Sequence, residues 1–244
     1  MRRPARLSIL TLGGIVAAVT LSGCGLLAPV ETFTDEETIQ SDIRSIELDD
    51  PQGRVTIFGV ADASDVDLSR TLHYRGERPG GETFDVDDDV LTLGGCGRRC
   101  TVDYTLEVPT GVDVSGSTSN GAIELTSVND VEVRTSNGRI ELEDIAGTVD
   151  VETSNGRIEG RGLGGDGIRA ETSNGAIDLA LDSAQDVEAT TSNGAITLVV
   201  PDEPFRVSAD TINGKTDIDI ATDPDADHVL ELRTSNGRIT VSTD

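Results

Sequence analysis

A chain of 244 residues with 45 Asp and Glu against 19 Lys and Arg carries a formal net charge of −26. That sign argues against holding nucleic acid or anionic headgroups by charge attraction. Four Phe, two Tyr and no Trp leave any core to aliphatic side chains and supply no aromatic platform for sugars.

Residues 1–23 read as a signal peptide. Arg2, Arg3 and Arg6 precede an apolar stretch of 15 residues, Leu7 to Leu21, which is shorter than the ~20 residues of a spanning helix. It ends Leu21-Ser22-Gly23-Cys24. These four residues resemble the lipobox of bacterial lipoproteins. The resemblance implies diacylglyceryl transfer to the Cys24 thiol and cleavage before it. The expected partner of this end is therefore the membrane, reached through a lipid on Cys24, with the protein on the extracytoplasmic side. Without the three leader arginines the charge becomes −29. Residues 24–42, rich in Gly, Pro, Thr and Glu with little periodicity, read as the lipidated cysteine and a flexible tether.

From Ile43 the pattern alternates, as half-buried strands do. Ile46 and Leu48, then Val55 and Ile57, flank a turn at Asp50-Pro51-Gln52-Gly53. Val66, Leu68 and Leu72 follow, then Phe84 and Val86, then Val90, Leu91 and Leu93. Val102, Tyr104, Leu106 and Val108 alternate up to Pro109. Between these runs lies Cys96-Gly97-Arg98-Arg99-Cys100. Outside the cytoplasm such a close pair reads as a disulfide, Cys96 to Cys100. A zinc site would lack two of its four ligands.

From about residue 112 a phrase recurs. Thr-Ser-Asn-Gly, or Thr-Ile-Asn-Gly once, places its Asn at Asn120, Asn137, Asn155, Asn174, Asn193, Asn213 and Asn236. Six residues before each Asn stand Val114, Val131, Val149, Ile168, Val187, Val207 and Leu230. Three after it stand Ile123, Ile140, Ile158, Ile177, Ile196, Thr216 and Ile239. Asn-Gly between alternating runs is a hairpin signal, but a meander gives no reason for identical residues at identical offsets. Stacked coils do, because equivalent positions then form ladders ~4.8 Å apart. The predicted fold is all-β: a single-stranded β-solenoid of about seven short coils, preceded by a β-rich part of the same domain, spanning 43–244.

The stretch Val102-Asp103-Tyr104-Thr105-Leu106-Glu107-Val108-Pro109 and the following Gly116-Ser117-Thr118-Ser119-Asn120-Gly121-Ala122-Ile123-Glu124-Leu125 resemble a bacterial domain-of-unknown-function family called putative adhesin, over roughly residues 43–244. The resemblance implies a toast-rack-like β-solenoid exposed at the cell envelope. Similar domains in envelope-stress systems make an accessory or sensor role the alternative.

The Asn column reads as a structural ladder, with Asn able to occupy the left-handed region at a corner and Gly free of a Cβ there. None of the seven has Ser or Thr two residues on, so none is a glycosylation acceptor. The threonines two before each Asn share the parity of the buried column and should face inward. On the outer face Glu124, Glu141, Glu159 and Asp178 stack on consecutive coils. They read as a solvated acidic face, partly offset by Arg139 and Arg157, and at most as a weak divalent-cation site. His73 and His228 are far apart in the chain, and no nucleophile elbow or zinc-binding His pair accompanies them. A carbohydrate-active enzyme is therefore the least favoured reading, and no cofactor is expected. The sequence points to a non-enzymatic, lipid-anchored module binding an unidentified envelope polymer or protein. Because the chain stops soon after Val241, with no evident cap, end-to-end self-association is a further expectation.

Overall fold

The computed structural model describes residues 29–243; the signal peptide and Cys24 lie outside the described residues. Seven strands precede the repeat: β1 (Val30–Ile39), β2 (Ser45–Asp49), β3 (Gln52–Val60), β4 (Val66–Arg75), β5 (Phe84–Asp87), β6 (Val90–Gly94) and β7 (Cys100–Pro109). The motif then alternates a strand ending at Asn with one beginning three residues later. These are β8 (Asp113–Asn120) and β9 (Ile123–Thr126), β10 (Val131–Asn137) and β11 (Ile140–Ile145), β12 (Val149–Asn155) and β13 (Ile158–Leu163). They continue as β14 (Ile168–Asn174) and β15 (Ile177–Leu181), β16 (Val187–Asn193) and β17 (Ile196–Val200). The last are β18 (Arg206–Asn213) and β19 (Thr216–Asp219), β20 (Val229–Asn236) and β21 (Ile239–Thr243).

The two strands of each pair enter opposite sheets. One sheet runs β1-β4-β7-β3-β9-β11-β13-β15-β17-β21-β19 and the other β18-β20-β16-β14-β12-β10-β8-β2-β6-β5. Within the repeat every neighbour is parallel, and the register holds across the corner, with Asn137 beside Asn120 and Asn155, and Asn213 beside Asn236; β13 and β15 alone shift register, between Gly160 and Leu163. The fold is the expected all-β solenoid. Its core is the space between the sheets, filled by the aliphatic columns: Val131, Val149, Ile140 and Ile158 are all almost fully buried. Each such side chain contributes about 1.5–3 kcal/mol of transfer free energy.

The order of stacking departs from chain order at both ends. The first pair, β2–β3, lies between β6–β7 and β8–β9. The last pair, β20–β21, lies between β16–β17 and β18–β19. The C-terminal strand is therefore not the open end of the rod, as the position of Val241 had suggested. That edge belongs to β18 and β19, the pair with the divergent Thr-Ile-Asn-Gly. There Ile212 replaces Ser and is 79% exposed, and Thr216 replaces the buried Ile. Asp210, Asp217 and Asp219 on these strands place negative charge along the edge, a common guard against strand addition.

The tether expected over 24–42 is shorter than its composition suggests. Residues Val30–Ile39 form β1, paired antiparallel with β4 along its whole length. Its alternation is hidden because an inward position carries Asp35, which meets Arg70 rather than an apolar neighbour.

Candidate functional site

The Asn-Gly corners form one straight edge of the rod. Six of the seven Asn donate through Nδ2 to the Oδ1 of the Asn on the neighbouring coil, Asn120 only accepting: Asn137 to Asn120 at 3.2 Å, Asn155 to Asn137 at 3.1 Å, Asn174 to Asn155 at 3.1 Å and Asn193 to Asn174 at 3.0 Å. Asn236 to Asn193 and Asn213 to Asn236, both at 3.0 Å, complete the row. The Asn backbone is not left-handed, contrary to the sequence reading; none of the seven has positive φ. The glycine is needed for a different reason. A Cβ on Gly156 would lie 1.8 Å from the Gly138 carbonyl oxygen, and Gly138, Gly175, Gly194, Gly214 and Gly237 face the same contact at 1.8 Å. Coils at sheet spacing leave no room for a methyl group where the glycines stack.

The threonines complete the corner from inside. Thr153 Oγ1 donates to the Gly138 carbonyl at 3.0 Å, Thr172 to Gly156 at 3.0 Å and Thr191 to Gly175 at 3.0 Å. These hydroxyls are buried, so the bonds satisfy groups that would otherwise be costly to enclose. The glycine N–H in turn donates to the Asn carbonyl of the next coil, as from Gly138 to Asn155 at 3.2 Å.

On the outer face the acidic row is interleaved with guanidinium groups. Arg139 reaches Glu124 at 2.7 Å and Glu141 at 3.2 Å, and Arg157 reaches Glu159 at 2.8 Å and Asp178 at 3.7 Å. Arg54 adds a contact to Glu124 at 3.8 Å, which the sequence reading missed because residue 54 precedes the repeat. Each of the four carboxylates thus shares a guanidinium, and among the described residues no group of three or more ligating side chains could hold a metal ion. The other sheet repeats the device, with Arg134 between Glu132 and Glu152, and Arg169 between Glu171 and Glu188. These pairs are about half exposed, so each is worth only ~0–1 kcal/mol.

The least regular surface is at the N-terminal end. Cys96 and Cys100 are disulfide-bonded, with Cα atoms 5.5 Å apart, and hold Arg98 and Arg99 in an exposed loop. Beside it a groove of about 550 Å³ is lined by Val30, Gln52, His73, Tyr74, Arg75, Arg99, Cys100 and Thr101. It adjoins a second of about 560 Å³ over Arg54, Asp103 and Asn120. Here His73 Nε2 lies 3.0 Å from Asp103 Oδ2, while Asp103 Oδ1 accepts from the Arg54 N–H at 2.8 Å. Asp103 thereby ties β7 to β3 and β4. No hydroxyl or thiol is hydrogen-bonded to His73 among the described residues, so the pair lacks the nucleophile that a triad would need. His228 is elsewhere, 3.8 Å from Asp186.

Beneath this end Arg70 makes two 2.7 Å bonds to Asp35, a 2.9 Å bond to Thr83 Oγ1, and lies over the Phe84 ring. The Arg70 hydrogen bonds hold the Asp35 carboxyl below its ordinary range. Tyr104 donates to the Thr83 and Gly94 carbonyls, and burial pushes its pKa up to about 12. Neither group was legible in the sequence, because the partners are 35 and 21 residues apart and belong to no repeat.

The profile of the family described as Toastrack DUF4097 matches residues 103–242. No curated protein is a significant match. Among solved structures, a putative cell adhesion protein from Clostridium sporogenes ATCC 15579 covers 88% of this chain and 100% of its own at 10% identity and a TM-score of 0.41. A putative adhesin from Parabacteroides merdae ATCC 43184 covers 88% and 96% at 12% identity and 0.44. One from Bacteroides fragilis NCTC 9343 covers 88% and 97% at 14% identity and 0.43. With more than half of its residues under that profile and the stacked two-strand coils to match, the chain belongs to the Toastrack DUF4097 family.

Proposed function

We propose that this protein is a non-enzymatic, adhesin-like interaction module, anchored on the extracytoplasmic side of the membrane through a lipid on Cys24. One observation carries the non-enzymatic part. The recurring polar residues are absorbed by the scaffold: Asn bonds to Asn, Thr to the glycine carbonyl, and the outer carboxylates to arginines. A sevenfold motif spent on coil-to-coil contacts builds a rigid platform and leaves no repeated group for chemistry. Binding then falls to the irregular outer positions and to the grooved N-terminal end. The Leu21-Ser22-Gly23-Cys24 sequence supports the anchor, and the Cys96–Cys100 bridge supports an oxidising compartment.

Crosslinking in intact cells from photoreactive residues placed along the outer faces, read by mass spectrometry, tests the binding role. A discrete envelope polymer or protein should be captured. Turnover of a polysaccharide by the purified protein would refute the non-enzymatic reading. Cys24→Ala should release the protein into the medium; retention in the membrane fraction would remove the anchor.

A further inference from the structure

The net charge conceals a separation of charge between the two edges of the rod. Every sheet-to-sheet turn of the motif lies on one edge, and the links from each coil to the next lie on the other. The seven motif turns, taken from the residue before Asn to two after Gly's neighbour Asn, contain Arg139, Arg157, Lys215 and Arg238 and no acid. The opposite connections are acid-rich, with Asp62, Asp130, Asp186, Asp202 and Asp225, and Arg44 is their single guanidinium.

The N-terminal strands extend this polarity. β6 is parallel to β2, and β2 to β8, so the disulfide loop with Arg98 and Arg99 lies on the Asn edge. β1 is antiparallel to β4, and Val30 pairs with Arg75, whose N–H donates to the Arg99 carbonyl at 3.2 Å. The chain therefore enters the domain on this same edge, beside the disulfide loop. Arg98, Arg99, Lys215 and Arg238 form no ion pair among the described residues. They stand at the two ends of the edge, whereas Arg139 and Arg157 in its middle are engaged with Glu124, Glu141, Glu159 and Asp178. The edge's own acids, Asp50, Glu77 and Glu82, are confined to its N-terminal part.

We propose that the Asn edge is a docking surface for anionic phospholipid, so that the rod lies along the membrane with its acidic edge outward. The inference rests on the Cys24 anchor proposed above. Five residues separate Cys24 from Val30, so the six steps between them reach at most ~20 Å when extended. That length keeps Arg98 and Arg99 within reach of the headgroups. An anionic surface attracts nearby Arg and Lys and repels the carboxylates of the opposite edge, both within about a Debye length of 8–10 Å. Both forces favour the same orientation.

The test uses full-length lipidated protein purified from membranes and inserted into vesicles of phosphatidylcholine, with or without phosphatidylglycerol. A fluorophore is attached through Ser173→Cys on the Asn edge or Asp166→Cys on the opposite one, both exposed positions, and is quenched by nitroxide-bearing headgroups. With phosphatidylglycerol, quenching at position 173 should exceed that at 166 by about threefold, and high salt should abolish the difference. Replacing Arg98, Arg99, Lys215 and Arg238 with Glu should abolish it too, and the salt arm tests the same forces without any mutation. Equal quenching at both positions, in protein that floats with the vesicles, overturns the edge-on orientation alone. Failure of the unmutated protein to float with phosphatidylcholine vesicles overturns the anchor and the orientation together.

Discussion

In the repeat, a given contact occurs once per coil; at the N-terminal end, each contact occurs once in the molecule. The Asn, Thr and Gly columns spread stabilisation evenly along the rod, and a defect in one coil leaves the same bonds above and below. The end built from β1, β4, β5 and β7 has no such redundancy. It depends on Arg70 with Asp35, on Tyr104 across to Thr83 and Gly94, and on the Cys96–Cys100 bridge. Repetition gives stiffness cheaply in sequence terms, while a distinctive surface, here the grooves around His73, needs unrepeated residues.

The largest expected effect breaks the repeat where it tolerates least. Gly156→Ala places a Cβ 1.8 Å from a backbone oxygen, and backbone on both sides prevents relief. The change should destabilise by about 3 kcal/mol or more, read as a shift in the denaturant midpoint. A cost under about 1 kcal/mol would mean that the coils can part at the corner.

Arg70→Ala should come next, at about 2–3 kcal/mol, because it removes charge-assisted bonds from a mostly buried guanidinium and leaves Asp35 unpaired. The pH dependence has a definite sign. The Arg70 hydrogen bonds hold Asp35 below the ordinary carboxyl value of 3.8, so its contribution is present above about pH 4 and is lost as pH falls further through the folded-state pKa. Tyr104 acts at the other extreme: with its pKa raised to about 12, its contribution is full below pH ~10 and is lost between about pH 10 and 12. Arg70→Ala should flatten the acid limb of a stability–pH curve and, because burial raises the Tyr104 pKa while the Arg70 charge holds it down, move the alkaline limb to higher pH.

Reducing the Cys96–Cys100 bridge should cost about 2 kcal/mol by the chain-entropy treatment of so short a loop. Hydrogen exchange should localise the loss to β6 and β7, with the repeat from β10 onward keeping its protection. Uniform loss across both regions would show that the rod unfolds as one unit.

The smallest effect compares two positions of one column. Asn155 bonds to Asn137 and receives from Asn174, whereas Asn213 at the edge has Asn236 alone. Asn155→Ala should cost about 1 kcal/mol and Asn213→Ala about half of that. Equal costs would show that the amide row does not act as a ladder.

The columns were readable from the sequence because a coil places the same offset in the same environment each time. That made the inward Thr, the aliphatic core and the position of the corner legible in the sequence, though not the backbone conformation of its Asn. The grooves, the Arg54 contact and the Arg70–Asp35 pair were not, because they join residues of unrelated offset. β1 was missed for the same reason: Asp35 occupies an inward position that only Arg70, 35 residues on, makes acceptable.

What the sequence by itself determined is the repeating unit of the rod: two short strands meeting at Asn-Gly, with aliphatic residues inside; that the coils build two facing sheets came from the tertiary structure. What only the tertiary structure decided is the order of the coils and the separation of charge between the edges. Repetition is the physical reason. When every coil presents the same columns to its neighbours, any coil can stack on any other. The insertion of β2–β3 and β20–β21 one place inward is then settled by connection lengths and by which coil can best bear an exposed side. The divergent β18–β19, with Ile212 and Thr216 where other coils have Ser and Ile, carries that exposure at one end.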